Sequence, residues 1–287
     1  MRIQRRFKGT LSLKNSGELT IFFIGVGSAF ARENAQTSLL VIKGNDHLLI
    51  DCGSTCPNAL YQLGVNIGQI ENIFITHSHA DHIGGLEQVA LLGRYVNKRK
   101  PTLVITPEYR DILWDFSLKG GCGFGERHNG KYLEFDDFFN VIDPKPVKDF
   151  SRDTYEADVG SINVKIMRTM HFPDSSTSWK DSFWSTGIII DDRIFYPADT
   201  RFDPPMFEEY TSKLPIEAIF QDCQFFTGGV HASFDQLSQL PADIKKMMHL
   251  VHYSDNWRNF EGRVIENGFA GFGLPHTYYT LDKKEKK

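Results

Sequence analysis

Three histidines and an aspartate fall within six positions in His77-Ser78-His79-Ala80-Asp81-His82. Groups of this kind are costly to bury unless something compensates them. Imidazole nitrogen and carboxylate oxygen are ligands suited to zinc, so the pattern points to a divalent metal centre. His77 and His79 alternate along an extended segment, and both can point to one ion. Asp81 and His82 open the next helix and can turn toward a second. Gly84-Gly85 would let that helix approach the sheet closely. The plainer alternative, a histidine-rich polar loop, accounts less well for the whole pattern.

The elements that must hold these residues can be read from apolar runs. Ile73–Thr76 is a buried strand that leads straight into His77. Other strands are expected at Leu19–Ile24, Ser38–Ile42, Leu48–Asp51, Leu103–Thr106 and Ile162–Met167. Later ones are expected at Gly187–Ile190, Ile194–Tyr196, Ala218–Gln221 and Leu250–His252. Helices are expected after Pro57, from His82 to about Asn97, and from Pro107 to Phe116. Two more are expected near Asp235–Met247 and Trp257–Glu266. Paired strands followed by interleaved helices predict two central sheets with helices outside. The charged tail, Lys283 to Lys287, reads as a solvated end.

Composition bounds the function. The chain has 287 residues, 41% hydrophobic and 24% charged, with a formal net charge of -4. This is ordinary globular composition, and the acidic balance argues against a surface built to hold long nucleic acid. A small anionic ligand remains compatible, because metals can supply local positive charge. No apolar run approaches the roughly 20 residues of a membrane span, and Met1 to Lys8 lacks a signal-peptide core. A cytoplasmic protein, without membrane contact, is therefore expected. Cys52, Cys56, Cys122 and Cys223 form no C-x-x-C pair, so reduced, mostly buried thiols are expected. Gly25-Val26-Gly27 is no dinucleotide fingerprint, since Phe30 stands where the third glycine belongs.

His77-x-His79-x-Asp81-His82 resembles the signature of the metallo-β-lactamase superfamily, and further motifs resembling that family follow in order along nearly the whole chain. Leu49-Ile50-Asp51-Cys52-Gly53 resembles the segment whose aspartate orients metal ligands from behind. His171 matches the third histidine. Asp199, in Tyr196-Pro197-Ala198-Asp199-Thr200, matches the aspartate that bridges two metals. His252 matches the last histidine, and is preferred to His249 because it ends its strand. The resemblance implies a four-layer αββα sandwich of α/β class over residues 1–287, with an inserted loop near 117–139. It implies one metal on His77, His79 and His171, another on Asp81, His82 and His252, and Asp199 between them. Two divalent ions are expected, zinc first and manganese as the alternative. His47, His128 and His276 lack such context and read as surface residues.

The superfamily hosts many reactions, so substrate must come from other features. The opening Phe22-Phe23-Ile24-Gly25-Val26-Gly27-Ser28-Ala29-Phe30, with Thr37-Ser38, is similar to that of ribonuclease Z-like proteins. These enzymes carry a histidine between the bridging aspartate and the last histidine; Val230-His231-Ala232-Ser233 lies there. The resemblance implies that His231 contacts the phosphate and protonates the leaving oxygen, with Asp81 and Asp199 in the catalytic centre. The long RNA-gripping arm of ribonuclease Z is missing between His171 and Asp199. An insertion instead precedes His171: charged, glycine-rich Lys119–Lys131, then aromatic Tyr132–Phe139. It can be a lid, a dimer contact or a displaced arm.

Ser176 and Trp179 follow His171, while Trp184, Phe225, Phe226 and Trp257 lie near other motif ends. Aromatic faces beside a phosphate site suit a nucleobase, although for any one of them alone core packing is the better reading. Ser176, Trp179 and Phe226 are the candidate substrate contacts. The chain looks most like the anti-Pycsar cyclic-nucleotide phosphodiesterases of phages and bacteria. That resemblance implies a homodimer in a bacterial host cytoplasm that opens cyclic mononucleotides to linear monophosphates. A tRNA 3′-processing nuclease, a lactonase or other ester hydrolase, and a non-cutting nucleotide sponge are the competing readings.

Overall fold

The computed structural model describes residues 1–5 and 9–283. Its strands are β1 (Arg2–Arg5), β2 (Leu19–Gly25), β3 (Ser38–Lys43), β4 (Asp46–Ile50), β5 (Asn72–Phe74) and β6 (Thr102–Val104). A hairpin of β7 (Arg127–His128) and β8 (Lys131–Tyr132) precedes β9 (Asn140–Ile142), β10 (Lys145–Val147) and β11 (Thr154–Val159). Then come β12 (Ile162–Arg168), β13 (Thr186–Ile190), β14 (Ile194–Ala198), β15 (Ala218–Asp222), β16 (Met248–Val251), β17 (Gly271–Phe272) and β18 (Thr277–Leu281). Among the described residues they form two eight-stranded sheets, ordered β1-β18-β2-β3-β4-β5-β6-β9 and β10 through β17 in sequence.

Strand β2 is apolar except for Thr20 because both its faces are buried. Phe22 and Ile24 face outward with Leu60, Leu86 and Leu113 from flanking helices. Ile21 and Phe23 face inward against Ile166, Ile188 and Phe220 of the second sheet. The outer face of that sheet, with Ile189, Phe195 and Ile219, is covered by Phe207, Leu237, Ile244 and Val264. Three apolar seams thus separate four layers, which is the αββα order read from the sequence.

Several elements differ from expectation. The helix expected from His82 is divided: Ala80–Ile83, Leu86–Leu91, then a π-helical turn at Leu92–Asn97. Pro241 divides the helix expected near Asp235–Met247 into Phe234–Leu237 and Ala242–Met247, since it cannot sit mid-helix without losing a hydrogen bond. The aromatic half of the 117–139 insertion is not a loose loop. Leu133, Phe135, Phe138 and Phe139 are buried in the first sheet's outer seam. Helix Pro204–Lys213 and strands β11 and β18 were not anticipated. The expected solvated tail falls outside the described residues beyond Lys283.

Strands β2, β4, β5 and β6 share one direction in the first sheet, as do β12, β14, β15 and β16 in the second. The carboxyl ends of both sets meet. Just past β16, Tyr253 donates its N–H to the Val26 carbonyl, and its own carbonyl accepts from Ser28. Thr186 donates through both its N–H and its hydroxyl to the Thr76 carbonyl. A crevice outside the carboxyl ends of strands is where such sheets bind ligands.

Candidate metal centre

Most clustered side chains leave the end of a strand, while His79, Asp81 and His82 lie at the start of the helix Ala80–Ile83. Asp51 follows β4, His77 follows the extension of β5, His171 that of β12, Asp199 follows β14, and His252 follows β16. Asp51, Ala198 and His252 have φ of 61°, 56° and 55°, the left-handed region that non-glycine residues avoid. Each is an abrupt turn: those at Asp51 and His252 aim their own side chains into the crevice, and that at Ala198 aims the next residue, Asp199. Gly53 is required for a different reason: a Cβ there would sit 2.0 Å from the Asp81 carbonyl oxygen. Gly84 and Gly85 make close approaches to Ser54 and Pro57 of the same loop, rather than to the sheet.

Two sets of donors converge. His77, His79, His171 and Asp199 form one, and Asp81, His82, Asp199 and His252 the other; within each, ligand atoms lie within 4.8 Å of one another. His77 Nε2 is 2.9 Å from His79 Nδ1, which is 3.2 Å from His171 Nε2. Asp199 Oδ2 lies between the sets, 3.8 Å from both His77 and His171, 3.2 Å from His82 and 3.4 Å from His252. Asp81 Oδ2 is 3.4 Å from His82 Nε2 and 3.2 Å from His252 Nε2.

The ligands are held from behind. Asp51 accepts His82 Nδ1–H at 2.7 Å and also the Thr76 N–H and hydroxyl. His171 Nδ1–H donates to the Val230 carbonyl at 2.9 Å. The Phe172 ring stacks on His79 at 4.6 Å.

The donor set suits divalent cations. With Nδ1 donating to Asp51, His82 Nε2 turns its lone pair toward two carboxylates. That arrangement is repulsive unless positive charge lies between them. His82 Nε2 and Asp199 Oδ1 are buried and have no hydrogen-bond partner among the described residues. The site therefore attracts a cation or a proton. Burial opposes charge on His82, yet Asp199 and Asp51 hold its pKa well above the ordinary value. Burial would also raise Asp199 and Asp81, but neighbouring histidines keep both carboxyls far below their usual range. Burial, with His82 and His171, pushes His77 well down, and burial brings His171 to about 3. Ionised carboxylates and neutral imidazoles are the forms that bind metal.

One functional group escaped the sequence reading. Asp222, at the end of β15 and fully buried, accepts His231 Nδ1–H at 2.8 Å. Burial opposes charge on His231, but the Asp222 hydrogen bond and the Asp199 charge raise its pKa to about 9. Burial pushes Asp222 up to about 6. Between these values the pair is ionic, with His231 protonated. The signal was available: Asp222 closes an apolar run, as Asp51 and Asp199 do.

Other residues fall elsewhere. Phe226 lines a cavity of about 260 Å³ with His231 and His252; Ser176 and Trp179 do not. Ser176 turns its hydroxyl to the Asp181 carbonyl, and Trp179 packs under Lys180. Trp184 and Trp257 are core residues, beside Tyr109 and Tyr253. His249 is buried between Phe220 and Tyr279, away from the centre. His47 is a correction: it is buried, not a surface residue, and its Nε2 accepts the Glu71 N–H, which ties strand β4 to the residue just before β5. His128 and His276 are exposed. All four cysteines are buried and unpaired.

An αββα sandwich with histidines and aspartates gathered at its strand ends is a metallo-β-lactamase fold. The solved metallo-β-lactamase fold protein YhfI from Bacillus subtilis superposes with a TM-score of 0.63 over 92% of this chain and 100% of that one, at 16% identity. Within that class, the chain belongs to the Anti-Pycsar protein Apyc1 family, whose model matches residues 19–279. The Anti-Pycsar protein Apyc1 of Bacillus phage 010DV004 is 36% identical over 277 residues, covering 94% of this chain and 100% of the relative. The protein of that name from Paenibacillus sp. (strain J14) is 32% identical over 265 residues, covering 92% and 99%.

Proposed function

We propose that the chain is a metal-dependent phosphodiesterase that hydrolyses cyclic mononucleotides to linear nucleoside monophosphates, and so opposes Pycsar signalling in the cytoplasm of a bacterial host. The observation that carries this reading is the Asp222–His231 pair, set 3.8 Å from Asp199 and beside both donor sets. An ester with a poor alkoxide leaving group needs a proton donor there. The name shared by the phage and Paenibacillus relatives supports the same direction.

In this reading His77, His79 and His171 hold one divalent ion, Asp81, His82 and His252 hold the other, and Asp199 serves both. Zinc suits the imidazole-rich donors best, with manganese the alternative. Such ions, when bound, supply an activated water and neutralise the non-bridging phosphate oxygens. Asp51 fixes the His82 ring. His231 donates a proton to the ribose oxygen as its bond to phosphorus breaks and a water oxygen takes its place on phosphorus. Asp222 keeps that imidazole oriented and charged.

Two further parts belong to the proposal. No helix among the described residues is long and apolar enough to cross a membrane, and the substrate proposed is a small nucleotide. Exposed Val96, Phe116 and Phe124 are apolar surface that a second copy of the chain would cover in a homodimer.

The test is incubation of zinc-loaded protein with cyclic AMP, GMP, CMP and UMP and with a transfer RNA precursor, with products read chromatographically. Linear monophosphates support the proposal. Cleavage of RNA alone makes the chain a ribonuclease Z; cleavage of neither directs attention to lactones and thioesters.

A further inference from the structure

The cavity beside His231 and His252 has an unusual wall. Phe30 is 92% exposed and Phe226 67% exposed, and both rings line it. Large exposed rings are ordinary when scattered, but here two flank one cavity next to the candidate reaction centre.

Neither ring sits on a slack loop. Asp255 accepts the N–H groups of Arg32 at 3.0 Å and Glu33 at 3.1 Å, and Arg258 pairs with Glu33 at 2.7 Å. These contacts pin the segment just past Phe30. The Gln224 side-chain amide donates to the carbonyls of Phe226, at 3.0 Å, and Gly228. That fixes the second loop. The backbone beside both rings is thus preset, which lowers the entropy a ligand must overcome on binding.

Three of the polar side chains lining the cavity are already engaged. Asp255 and Gln224 are spent as described, and Ser254 Oγ donates to Asn256 Oδ1 at 2.7 Å. A ligand therefore meets ring faces more than free donors and acceptors. At about 260 Å³ the space lies just under the 300–1,000 Å³ of drug-sized pockets, room for one heterocycle but not for an oligomer.

We propose that Phe30 and Phe226 form a clamp that grips the heterocyclic base of a mononucleotide by its faces while its phosphate lies at His231. The inference rests on the phosphodiesterase reading above and adds the residues that hold the base. Every base has a π-face, so the clamp accepts purines and pyrimidines alike. Phe30 and Phe226 are then substrate-binding residues, and neither takes part in proton transfer.

The test uses the full, zinc-loaded chain and the variants Phe30→Ala, Phe226→Ala and Phe30→Tyr, with Ile265→Ala, an exposed side chain on the helix Glu261–Glu266, as control. Two quantities are read: KM and kcat for cyclic AMP and cyclic UMP, and the Kd of 5′-AMP by calorimetry. Each alanine variant is expected to raise KM and Kd about 5- to 150-fold, by a similar factor for both bases, with metal content unchanged. Phe30→Tyr should restore binding, because a tyrosine ring still stacks, and the control should match wild type. Unchanged KM and Kd in both alanine variants would overturn the clamp while leaving the phosphodiesterase reading intact. Wild-type binding of 5′-AMP that the variants weaken, without turnover of cyclic substrates, would uphold the clamp and overturn the reaction. No nucleotide binding by wild type would overturn both.

Discussion

Replacing Asp222 by asparagine separates a positioning role from a metal-ligand role. Asp222 can join a third donor group with Asp199, His231 and His252, so the question is open in geometry. The substitution keeps the shape of the side chain. One Asp222 oxygen accepts from His231 and the other from the Gln221 amide. An asparagine can keep its oxygen on His231 only if its NH2 faces Gln221. Gln221 Oε1 has no hydrogen-bond partner among the described residues, so a flip of that amide supplies the acceptor, at the loss of its 3.0 Å bond to the Asp222 backbone carbonyl. The fold should therefore survive. What is lost is charge on the bond to His231. Hydrogen bonds to charged groups contribute about 1.5–3 kcal/mol and neutral ones about 0.5–1.5, a difference of about 1–2 kcal/mol. If it falls on the protonated imidazole alone, the imidazolium population, and with it kcat, drops about 5- to 30-fold at pH above the His231 pKa and much less at neutral pH. That is less than the 10²- to 10⁴-fold expected for His231→Ala, which removes the acid itself. The sign with pH follows. Asp222 raises the His231 pKa, so its removal lowers that pKa, and activity that needs imidazolium is lost at lower pH on the alkaline side. The assay is kcat against pH for Asp222→Asn, His231→Ala and the double variant, with metal counted by mass spectrometry. The double variant should be no slower than His231→Ala, because both act through one proton. Loss of a metal equivalent in Asp222→Asn would refute the argument and make Asp222 a ligand.

Three other substitutions or treatments test the centre. Asp51→Asn removes the anion at 2.7 Å from His82 Nδ1 and should weaken one metal equivalent about 10- to 100-fold in competition with a chromophoric chelator; unchanged affinity for both metals would mean that Asp51 does not act through His82. Gly53→Ala places a Cβ 2.0 Å from the Asp81 carbonyl oxygen and should cost about 1–3 kcal/mol in denaturant stability, with no midpoint shift as the contrary result. Chelation should lower Tm, and metal at 100 times its Kd should return about 2.7 kcal/mol of stability; a Tm independent of metal concentration would show that the cluster binds none.

The sequence disclosed the buried middle of the fold because its strands are covered on both faces and read as apolar runs, as in Ile21–Ile24. It disclosed less at the margins. In β11, Thr154–Val159, only the end residues are fully buried, and Glu156 and Asp158 interrupt the pattern. Helix Pro204–Lys213 carries its buried residues, Met206, Phe207 and Tyr210, among glutamates, serine and lysine, too few for periodicity alone to stand out. The His77–His82 cluster was legible because its members are adjacent in the chain. Asp222 and His231 are nine residues apart and meet only when β15 ends at the crevice, so no local spacing announces them. Phe30 was passed over for the same reason: its partners, Phe226 and His231, come from the other sheet's loops. His47 was read as a surface residue because nothing in the sequence places Glu71 against it.

These misses share a cause with the site itself. The crevice is assembled where two sheets bring their carboxyl ends together, and the chain turns there at conformational cost. Asp51, Ala198 and His252 adopt left-handed φ without being glycine, and such positions cost on the order of 1–3 kcal/mol each. Glycine would relax each turn, but glycine at 51 or 252 would remove the carboxylate or imidazole that the turn delivers. Ala198 carries no such group; its turn instead aims the next residue, Asp199, to the point shared by both donor sets. Buried carboxylates at Asp51, Asp81 and Asp199 converge on His82, while burial pushes the pKa values of His77 and His171 down, and this adds an electrostatic cost that a dry core would not tolerate. Strain and uncompensated charge therefore concentrate at one edge of an otherwise well-packed sandwich. Cations bound there would neutralise the charge and hold the strained turns in place, which ties the stability of this edge to the chemistry proposed for it.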